Sequence, residues 1–333
     1  MPDVASGPRI RFDRLLDEDD RRSALHDATF WSLRGDPPRE LPAVWLYDER
    51  GSRLFDEITR LPEYYLTRAE REILGRRAQE IAASGVRTLV ELGSGTSEKT
   101  RLLLDALEAA GTLESFVPLD VSEEVLRASA EAIAARYRGV GVHALVADFE
   151  RHLDALPDAP GRLVAFLGST IGNLDPARRA RLLQTIAAVL APGDRLLLGV
   201  DLVKDAARLE AAYNDSRGIT ETFVRNGLEV VNRELDADFD QRRLEFVARW
   251  DAEREWMDIG FRALREQVVS VRRLEIEVVL RPGEALRLEI SAKFRRDGIE
   301  AELASAGLSL DEWWTDRRGD FALLLASGNR RAG

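Results

Sequence analysis

The chain has 333 residues, of which 45% are hydrophobic and 32% charged, and it carries a formal net charge of -11. This length accommodates one large domain or two smaller ones with a sizeable core. The acidic charge argues against a general affinity for nucleic acid phosphates. The absence of cysteine excludes disulfides, thiolate metal ligands and a cysteine nucleophile. No apolar stretch approaches the length of a membrane span, so we expect a cytoplasmic protein without a membrane partner.

Lysine is rare in this sequence, because only Lys99, Lys204 and Lys293 occur among 48 basic residues. A coding bias towards arginine explains the general excess of that residue. The remaining lysines are therefore candidates for positions that need a compact ammonium group rather than a planar guanidinium.

Apolar strand patterns alternate with amphipathic helical patterns between about residues 69 and 202. The predicted strands are residues 87–92, 115–119, 142–146, 163–167 and 195–200. The predicted helices are residues 99–110, 123–137 and 176–190. This alternation predicts βαβ units and a parallel sheet with right-handed crossovers.

A glycine turn, Gly93-Ser94-Gly95, follows the first of these strands and precedes a helix. This strand, turn and helix form the unit on which α/β proteins bind nucleotides. Glu98 stands where the dinucleotide fingerprint requires Gly or Ala, and the spacing does not fit a P-loop. Together with Glu91 and acidic strand ends, the turn favours an S-adenosylmethionine site. A nicotinamide-dependent dehydrogenase is the remote alternative.

Chemically useful side chains follow the other strands, at the edge where open parallel sheets bind ligands. Asp120 is placed to accept hydrogen bonds from ribose hydroxyls, although a single such acid is as often a helix cap. Asp148 and Phe149 offer a carboxylate for an adenine amino group and an aromatic face. Residues 168–173 follow the fourth strand, where the methyl acceptor is expected. Lys99 opposes the helix dipole, which predicts an anionic partner, and the methionyl carboxylate of the cofactor is the candidate.

The alternation breaks after residue 202. Residues 203–275 have a mostly helical pattern, and strand patterns at residues 274–280 and 285–290 are joined by a turn at residues 281–284. A helix at residues 298–306 precedes two strands, 308–315 and 321–326, which resemble the antiparallel hairpin that closes a class I methyltransferase sheet.

We therefore predict an α/β protein with two domains. A class I, Rossmann-like methyltransferase domain comprises residues 69–202 and 293–330. A second, α+β substrate-binding domain is formed by the N-terminal segment, residues 18–68, and by an insertion after the fifth strand, residues 203–292.

Taken together, these residues resemble the histidine-specific Nα-methyltransferases of ergothioneine biosynthesis. The resemblance covers all but about the first forty residues. Its matching stretches include residues 47–48, 61–65, 91–100, 166–173, 201–205, 232–235, 291–294, 313–316 and 319–321. The Ser-Glu-Lys-Thr loop at residues 97–100 and the Gly-Ser-Thr-Ile-Gly-Asn string at residues 168–173 are specific to this family.

The resemblance implies a reaction and a cofactor. It implies that S-adenosylmethionine donates methyl groups, without a metal, to the α-amine of L-histidine, which becomes the trimethylated betaine hercynine. The residues that it assigns to the cofactor are Gly93, Lys99, Asp120, Asp148 and Phe149.

The resemblance also implies a set of substrate residues. Those for the substrate carboxylate and α-amine are Tyr64, Asn173 and Tyr213, with Tyr47 and Thr170 close to the amine. We take Asn173, Tyr47 and Thr170 as the candidate catalytic residues. Glu289 and Ser291 are assigned to the imidazole ring, and their alternate positions in a strand place them on one face.

One position departs from the family pattern. Ile259 stands where the family has a methionine in the substrate pocket, and Met257 lies two residues away. This difference leaves open a methyltransferase that acts on another aromatic amino acid, such as tryptophan. A purely binding role is least favoured, because both the cofactor and the substrate positions are complete. We expect a monomer whose partner is a small molecule.

Overall fold

The computed structural model describes residues 10–328, which fall into two compact units. Unit 1 comprises residues 10–17, 68–202 and 294–328. Unit 2 comprises residues 18–67 and 203–293. The chain thus leaves unit 1 twice, once near its beginning and once after residue 202.

The secondary structure of the described residues is as follows. The strands are β1 Ile10–Arg14, β2 Arg39–Glu40, β3 Thr88–Leu92, β4 Ser115–Asp120, β5 Gly141–Val146, β6 Arg162–Phe166, β7 Arg195–Asp201, β8 Leu244–Asp251, β9 Trp256–Ala263, β10 Gln267–Val271, β11 Ile276–Leu280, β12 Ala285–Ala292, β13 Leu308–Thr315 and β14 Phe321–Gly328. The α-helices are α1 Glu18–Arg34, α2 Glu49–Ile58, α3 Leu66–Ala82, α4 Arg101–Ala110, α5 Glu123–Arg136, α6 Pro176–Val189, α7 Ala206–Tyr213, α8 Ile219–Glu234 and α9 Arg296–Ser305.

Unit 1 is built on a sheet whose strand order, within residues 10–328, is β1-β5-β4-β3-β6-β7-β14-β13. The strands from β1 to β7 in this order run parallel, whereas β14 pairs antiparallel with β7 and β13 pairs antiparallel with β14. Strands β3 and β6 are buried along their whole length, as in parallel sheets that helices cover on both faces. The predicted α/β fold and its closing hairpin are confirmed.

The predicted helices of this unit match α4, α5 and α6 to within two residues at each end. Local signals explain this agreement. Pro176, which has no N–H group, occupies the first helical turn of α6. Asp175 caps the helix by accepting hydrogen bonds from the N–H groups of the two residues after Pro176.

Strand β1 was not expected from the sequence. Residues Ile10–Arg14 pair in parallel with β5 at the edge of the sheet. Charged residues at alternate positions are typical of edge strands, and they weaken the apolar pattern by which strands are recognised.

In unit 2 the prediction that residues 203–275 are mostly helical is wrong. Only α7 and α8 are α-helices there, and β8, β9 and β10 follow them. Strands β8 and β9 carry helix-favouring residues such as Glu245 and Arg249, but pairing along a sheet of order β2-β12-β9-β8 overrides this local preference. Among the described residues β11 pairs only with β10, so the turn at residues 281–284 connects strands of different sheets.

None of the helices in the described range, residues 10–328, has both the length and the apolar character needed to cross a bilayer.

Candidate functional site

The glycine turn of unit 1 lies at the carboxyl end of β3. Gly93 and Gly95 have φ angles of 66° and 48°, a region that glycine enters without a steric penalty. The N–H groups of Gly93 and Ser94 both donate to the Leu119 carbonyl, at 2.9 and 3.0 Å. The turn is therefore held against the end of the neighbouring strand β4.

The Glu91 side chain holds the segment that follows the glycine turn. Its side chain accepts hydrogen bonds from Ser97 Oγ, at 2.8 Å, and from Thr100 Oγ1. Burial raises the pKa of Glu91 to about 7, and the two hydroxyl donors only partly oppose this effect. In the sequence Glu91 is recognisable as part of the motif, but its contacts with Ser97 and Thr100 are visible only in the structure.

Replacing Glu91 by glutamine is expected to change how stability depends on pH. Between about pH 4.5 and 7 the folded protein holds this proton more strongly than the unfolded chain, so its contribution to the free energy of unfolding falls as pH rises. Denaturant titrations should show E91Q gaining about 1–3 kcal/mol relative to the wild type between pH 5 and pH 8. A difference between the two proteins that stays constant over this range would contradict the role of burial. The exposed Glu98, changed to glutamine, is the matched control.

Acidic residues at the carboxyl ends of β4 and β5 also shape the loops that follow these strands. Asp120 accepts hydrogen bonds from the N–H groups of Gly95, at 2.8 Å, and Ser122, at 2.9 Å. Asp148 accepts from the N–H of Glu150 at 2.8 Å. Each carboxylate oxygen has two lone pairs, so these contacts are compatible with further donors from a ligand.

Phe149 completes the predicted cofactor set. Its ring packs against Phe166 with 5.0 Å between ring centroids. A Cβ atom on Gly93 would lie 3.8 Å from the Phe149 ring. Two carboxylates, an aromatic face and a glycine turn are thus assembled at one edge of the sheet, and this chemistry fits an adenosyl group.

Lys99 has an anionic partner within the protein, namely Glu70 of α3. Glu70 is fully buried; one carboxylate oxygen accepts from the Lys99 ammonium and the other from the Gly168 N–H, at 2.7 Å. An ammonium has three N–H donors, so this ion pair is compatible with a second anionic partner. A Cβ atom on Gly199 would lie 2.2 Å from Glu70 Oε1, which explains the glycine at that position of β7.

The loop after β6 carries two of the candidate catalytic residues. Gly168 and Ser169 have positive φ angles of 80° and 58°, and a 3₁₀ turn follows at Thr170–Asn173. Thr170 Oγ1 donates to the Leu167 carbonyl at 3.0 Å. Thr170 and Asn173 are both half-buried. Through Glu70, this loop is tied to the loop that bears Lys99.

Unit 2 contains the residues predicted to hold the imidazole ring. On β12, Glu289 lies opposite Ile259 of β9, and Ser291 lies opposite Met257. Directly paired residues of neighbouring strands point to the same face of a sheet. One face therefore carries a carboxylate and a hydroxyl beside the buried apolar side chains of Ile259 and Met257.

Glu289 has an unusual electrostatic environment. Part of its surface is accessible, but the surrounding protein atoms raise the pKa of its carboxyl group to about 7. Tyr47 Oη donates to Glu289 Oε1 at 3.4 Å. Burial and the Glu289 charge raise the pKa of Tyr47 well above its usual value, so its hydroxyl remains protonated.

A triangle of polar atoms lies beside this pair. Tyr213 Oη and Ser291 Oγ are 2.9 Å apart, and the Lys293 ammonium donates to each of them at 2.8 Å. All three residues are buried. The ammonium also lies 4.6 Å from the centroid of the Tyr213 ring.

An aromatic cluster brings the three predicted tyrosines of unit 2 together. Its rings lie 5.3 to 6.2 Å apart between centroids, mostly edge to face, as aromatic pairs prefer. The members of the cluster are Tyr47, Phe55, Tyr64, Tyr213 and Phe223.

The predicted site residues therefore divide between the units. Unit 1 carries Gly93, Lys99, Asp120, Asp148, Phe149, Thr170 and Asn173. Unit 2 carries Tyr47, Tyr64, Tyr213, Ile259, Glu289 and Ser291. Glu70 and Lys293 were not predicted as site residues. The scarcity of lysine was the one signal for Lys293, whereas Glu70 looks like an ordinary helical glutamate in the sequence.

All three lysines of the chain have a specific partner. Lys204 donates to Tyr65 Oη at 2.6 Å, and its ammonium lies 4.4 Å from the centroid of that ring. Within residues 10–328, no group of three or more histidine or acidic side chains is arranged to hold a metal ion.

The whole chain is similar to several known proteins. Residues 25–328 match the family model described as histidine-specific methyltransferase, SAM-dependent. The chain is 55% identical over 290 residues to a histidine N-alpha-methyltransferase of Mycolicibacterium smegmatis. This alignment covers 87% of the chain and 90% of that protein. It is 52% identical over 320 residues to a histidine N-alpha-methyltransferase of Mycobacterium tuberculosis, which covers 96% and 99% respectively. Ergothioneine biosynthesis protein 1 of Neurospora crassa is 35% identical over 293 residues, covering 84% of this chain and 32% of that protein.

Proposed function

This chain belongs to the family of S-adenosylmethionine-dependent, histidine-specific methyltransferases, and we propose that it transfers three methyl groups in succession to the α-amine of L-histidine. The product is hercynine, formed in the first step of ergothioneine biosynthesis. The observation that carries this proposal is the polar face of unit 2, where Glu289 and Ser291 are held by Tyr47 and Tyr213 among aromatic side chains.

For the cofactor we propose Gly93, Lys99, Asp120, Asp148 and Phe149. When bound, S-adenosylmethionine supplies a sulfonium methyl group that is already electrophilic, so its displacement by an amine needs no metal. Asp120 and Asp148 would accept hydrogen bonds from ribose and adenine, and Phe149 would pack on the base. The Lys99 ammonium would pair with the methionyl carboxylate while keeping its contact with Glu70.

The amino group of histidine must be neutral, with its lone pair directed at the methyl carbon, before each transfer. We propose that Tyr64, Tyr213 and Asn173 hold the substrate carboxylate and amine. Tyr47 and Thr170 would act close to the amine. Because the pKa of Tyr47 is raised, its hydroxyl stays protonated and donates to Glu289, while its oxygen can accept a hydrogen bond from the amine. Orientation of the amine and exclusion of water are the contributions that these side chains can make.

The imidazole ring would be bound by Glu289 and Ser291. The carboxylate can accept from the N–H of the imidazole and the hydroxyl can donate to the other ring nitrogen, so together they satisfy both nitrogens of one tautomer. Ile259 and Met257, which lie opposite these two residues, would provide apolar contact with the ring. Such a site rejects ligands that leave its polar groups unpaired.

Mass spectrometry of the products formed from L-histidine and S-adenosylmethionine tests the proposal. We expect complete conversion to the trimethylated product. Mono- or dimethylhistidine as the only product after long incubation would contradict trimethylation. Titration with S-adenosylhomocysteine and NAD separates a methyltransferase from a dehydrogenase.

The second candidate function is methylation of another aromatic amino acid, such as tryptophan. The observation that favours it is Ile259, which is buried directly opposite Glu289 and differs in shape from the methionine that the family has at this position. Parallel incubations with histidine, tryptophan and phenylalanine decide between the two. A kcat/KM for tryptophan above that for histidine would favour this candidate.

The oligomeric state, the location and the partners of the protein complete the proposal. We propose a monomer that acts in the cytoplasm on small molecules, without nucleic acid or membrane partners. Light scattering of the purified protein tests the monomer, and a mass twice that of the 37.3 kDa chain would contradict it.

A further inference from the structure

Lys293 is a buried lysine that no part of the proposed reaction uses. It directly follows β12, and only 3% of its surface is exposed. Two of its N–H donors are directed at neutral hydroxyl oxygens, those of Tyr213 and Ser291, at 2.8 Å each. Desolvation of an ammonium group is costly, and the Lys293 charge also lowers the pKa of the Glu289 carboxyl, although burial of Glu289 outweighs this effect.

The number of hydrogen atoms in the triangle limits the directions in which its two hydroxyls can donate. An ammonium group can only donate, so both hydroxyl oxygens must accept from Lys293. The two hydroxyls are also 2.9 Å apart, and one of them donates to the other. Tyr213 and Ser291 have one hydroxyl hydrogen each, so the second hydrogen is directed away from the triangle. Lys293 thus prevents the two hydroxyls from turning their hydrogens towards its own position.

We propose that Lys293 is a positioning residue of the substrate site, which orients the hydroxyls of Tyr213 and Ser291 so that one of them donates to the amino-acid substrate. Its positive charge also favours a substrate that carries a carboxylate. This inference rests on the proposed function, because Tyr213 and Ser291 are assigned to the carboxylate and the ring of L-histidine.

The geometry explains why the residue is lysine in a chain that otherwise uses arginine. The ammonium is a compact group that reaches two oxygens 2.9 Å apart while lying 4.6 Å from the Tyr213 ring centroid. A guanidinium is planar and larger, with its donors fixed in a fork. The same buried space would have to expand to contain it.

Steady-state kinetics of Lys293 variants test the inference. Methionine retains the length of the side chain but has no donors, so Lys293→Met is expected to raise KM for histidine at least about 10-fold. The KM for S-adenosylmethionine should stay within about twofold, because the proposed cofactor residues all lie in unit 1. Lys293→Gln retains two N–H donors and should recover part of the loss. Arg242→Met, which removes an exposed positive charge from unit 2, is the matched control.

A double-mutant cycle with Tyr213→Phe distinguishes positioning from a general structural effect. If Lys293 acts through the Tyr213 hydroxyl, the double variant should have nearly the same KM for histidine as the more impaired single variant. Additive effects would overturn the inference, and so would a KM for Lys293→Met within twofold of the wild type. Lys293→Gln replaces Lys293→Met in the cycle if the latter does not fold, as judged by S-adenosylhomocysteine binding. A wild-type protein that does not methylate histidine overturns the proposed function itself, whereas an active wild type with unchanged variants overturns this inference alone.

Discussion

Replacing Glu289 by alanine is expected to lower kcat/KM for histidine about 100-fold and to weaken discrimination against phenylalanine and tryptophan. The carboxylate is the acidic group on the polar face of unit 2, and Tyr47 holds it in place. Loss of a hydrogen bond to a charged group costs about 1.5–3 kcal/mol, and the imidazole would also lose a partner in a largely desolvated site. Initial rates with each amino acid measure both effects.

The control for this variant is Glu289→Gln, which retains the shape and one acceptor but removes the charge. Its loss should be smaller than that of Glu289→Ala. The pKa of Glu289, raised to about 7 by desolvation, means that the charged form increases as pH rises through neutrality. Histidine binding to the wild type should therefore strengthen between pH 6 and pH 8, and Glu289→Gln should lose that part of the pH dependence. Unchanged kinetics for histidine in Glu289→Ala would contradict the assignment of Glu289 to the imidazole ring.

Replacing Glu70 by alanine is expected to destabilise the protein by about 3 kcal/mol and to weaken S-adenosylhomocysteine binding. Glu70 is fully buried and holds both the Lys99 ammonium and the Gly168 N–H. Removing one member of a buried ion pair leaves the other without compensation, at a cost of about 3–5 kcal/mol. We take the lower end, because the Lys99 side chain is 23% exposed. Urea denaturation and calorimetric titration measure the two quantities.

A matched control is available in the neighbouring helical turns. Glu80 pairs with Arg77 on the exposed surface of α3. Its replacement by alanine should change stability by no more than about 0.5 kcal/mol, because exposed ion pairs contribute little. Equal effects of the Glu70 and Glu80 substitutions on the free energy of unfolding would show that the burial of Glu70 does not add to its contribution to stability.

The two glutamates differ in how visible they are in the sequence. Glu289 could be proposed from the resemblance of the whole sequence to a known family and from its position two residues before Ser291. Glu70 could not, because nothing in the Arg-Ala-Glu-Arg-Glu pattern of α3 separates it from the neighbouring, partly exposed Glu72. Only the fold shows which of them points to the ends of β3 and β6.

The secondary structure shows the same division. The strands and helices between residues 87 and 201 follow from local patterns, because a buried parallel strand is a continuous apolar run and a helix has recognisable ends. Strands β8 and β9 do not, since half-buried strands with charged outer faces contain residues that also favour helices. Their conformation is decided by pairing, because β8 pairs with β9 and β9 pairs with β12.

The sequence by itself determined the parallel sheet, the glycine turn and the candidate residues at the strand ends, because the apolar runs, glycines and helix ends that predict them are local patterns in the chain. Tertiary structure alone decided which charges are paired. Lys99 is brought to Glu70, and Lys293 to Tyr213, by the fold of each unit. The physical reason is that burial and hydrogen bonding depend on the packing of distant segments, and these determine the protonation and orientation of a polar side chain.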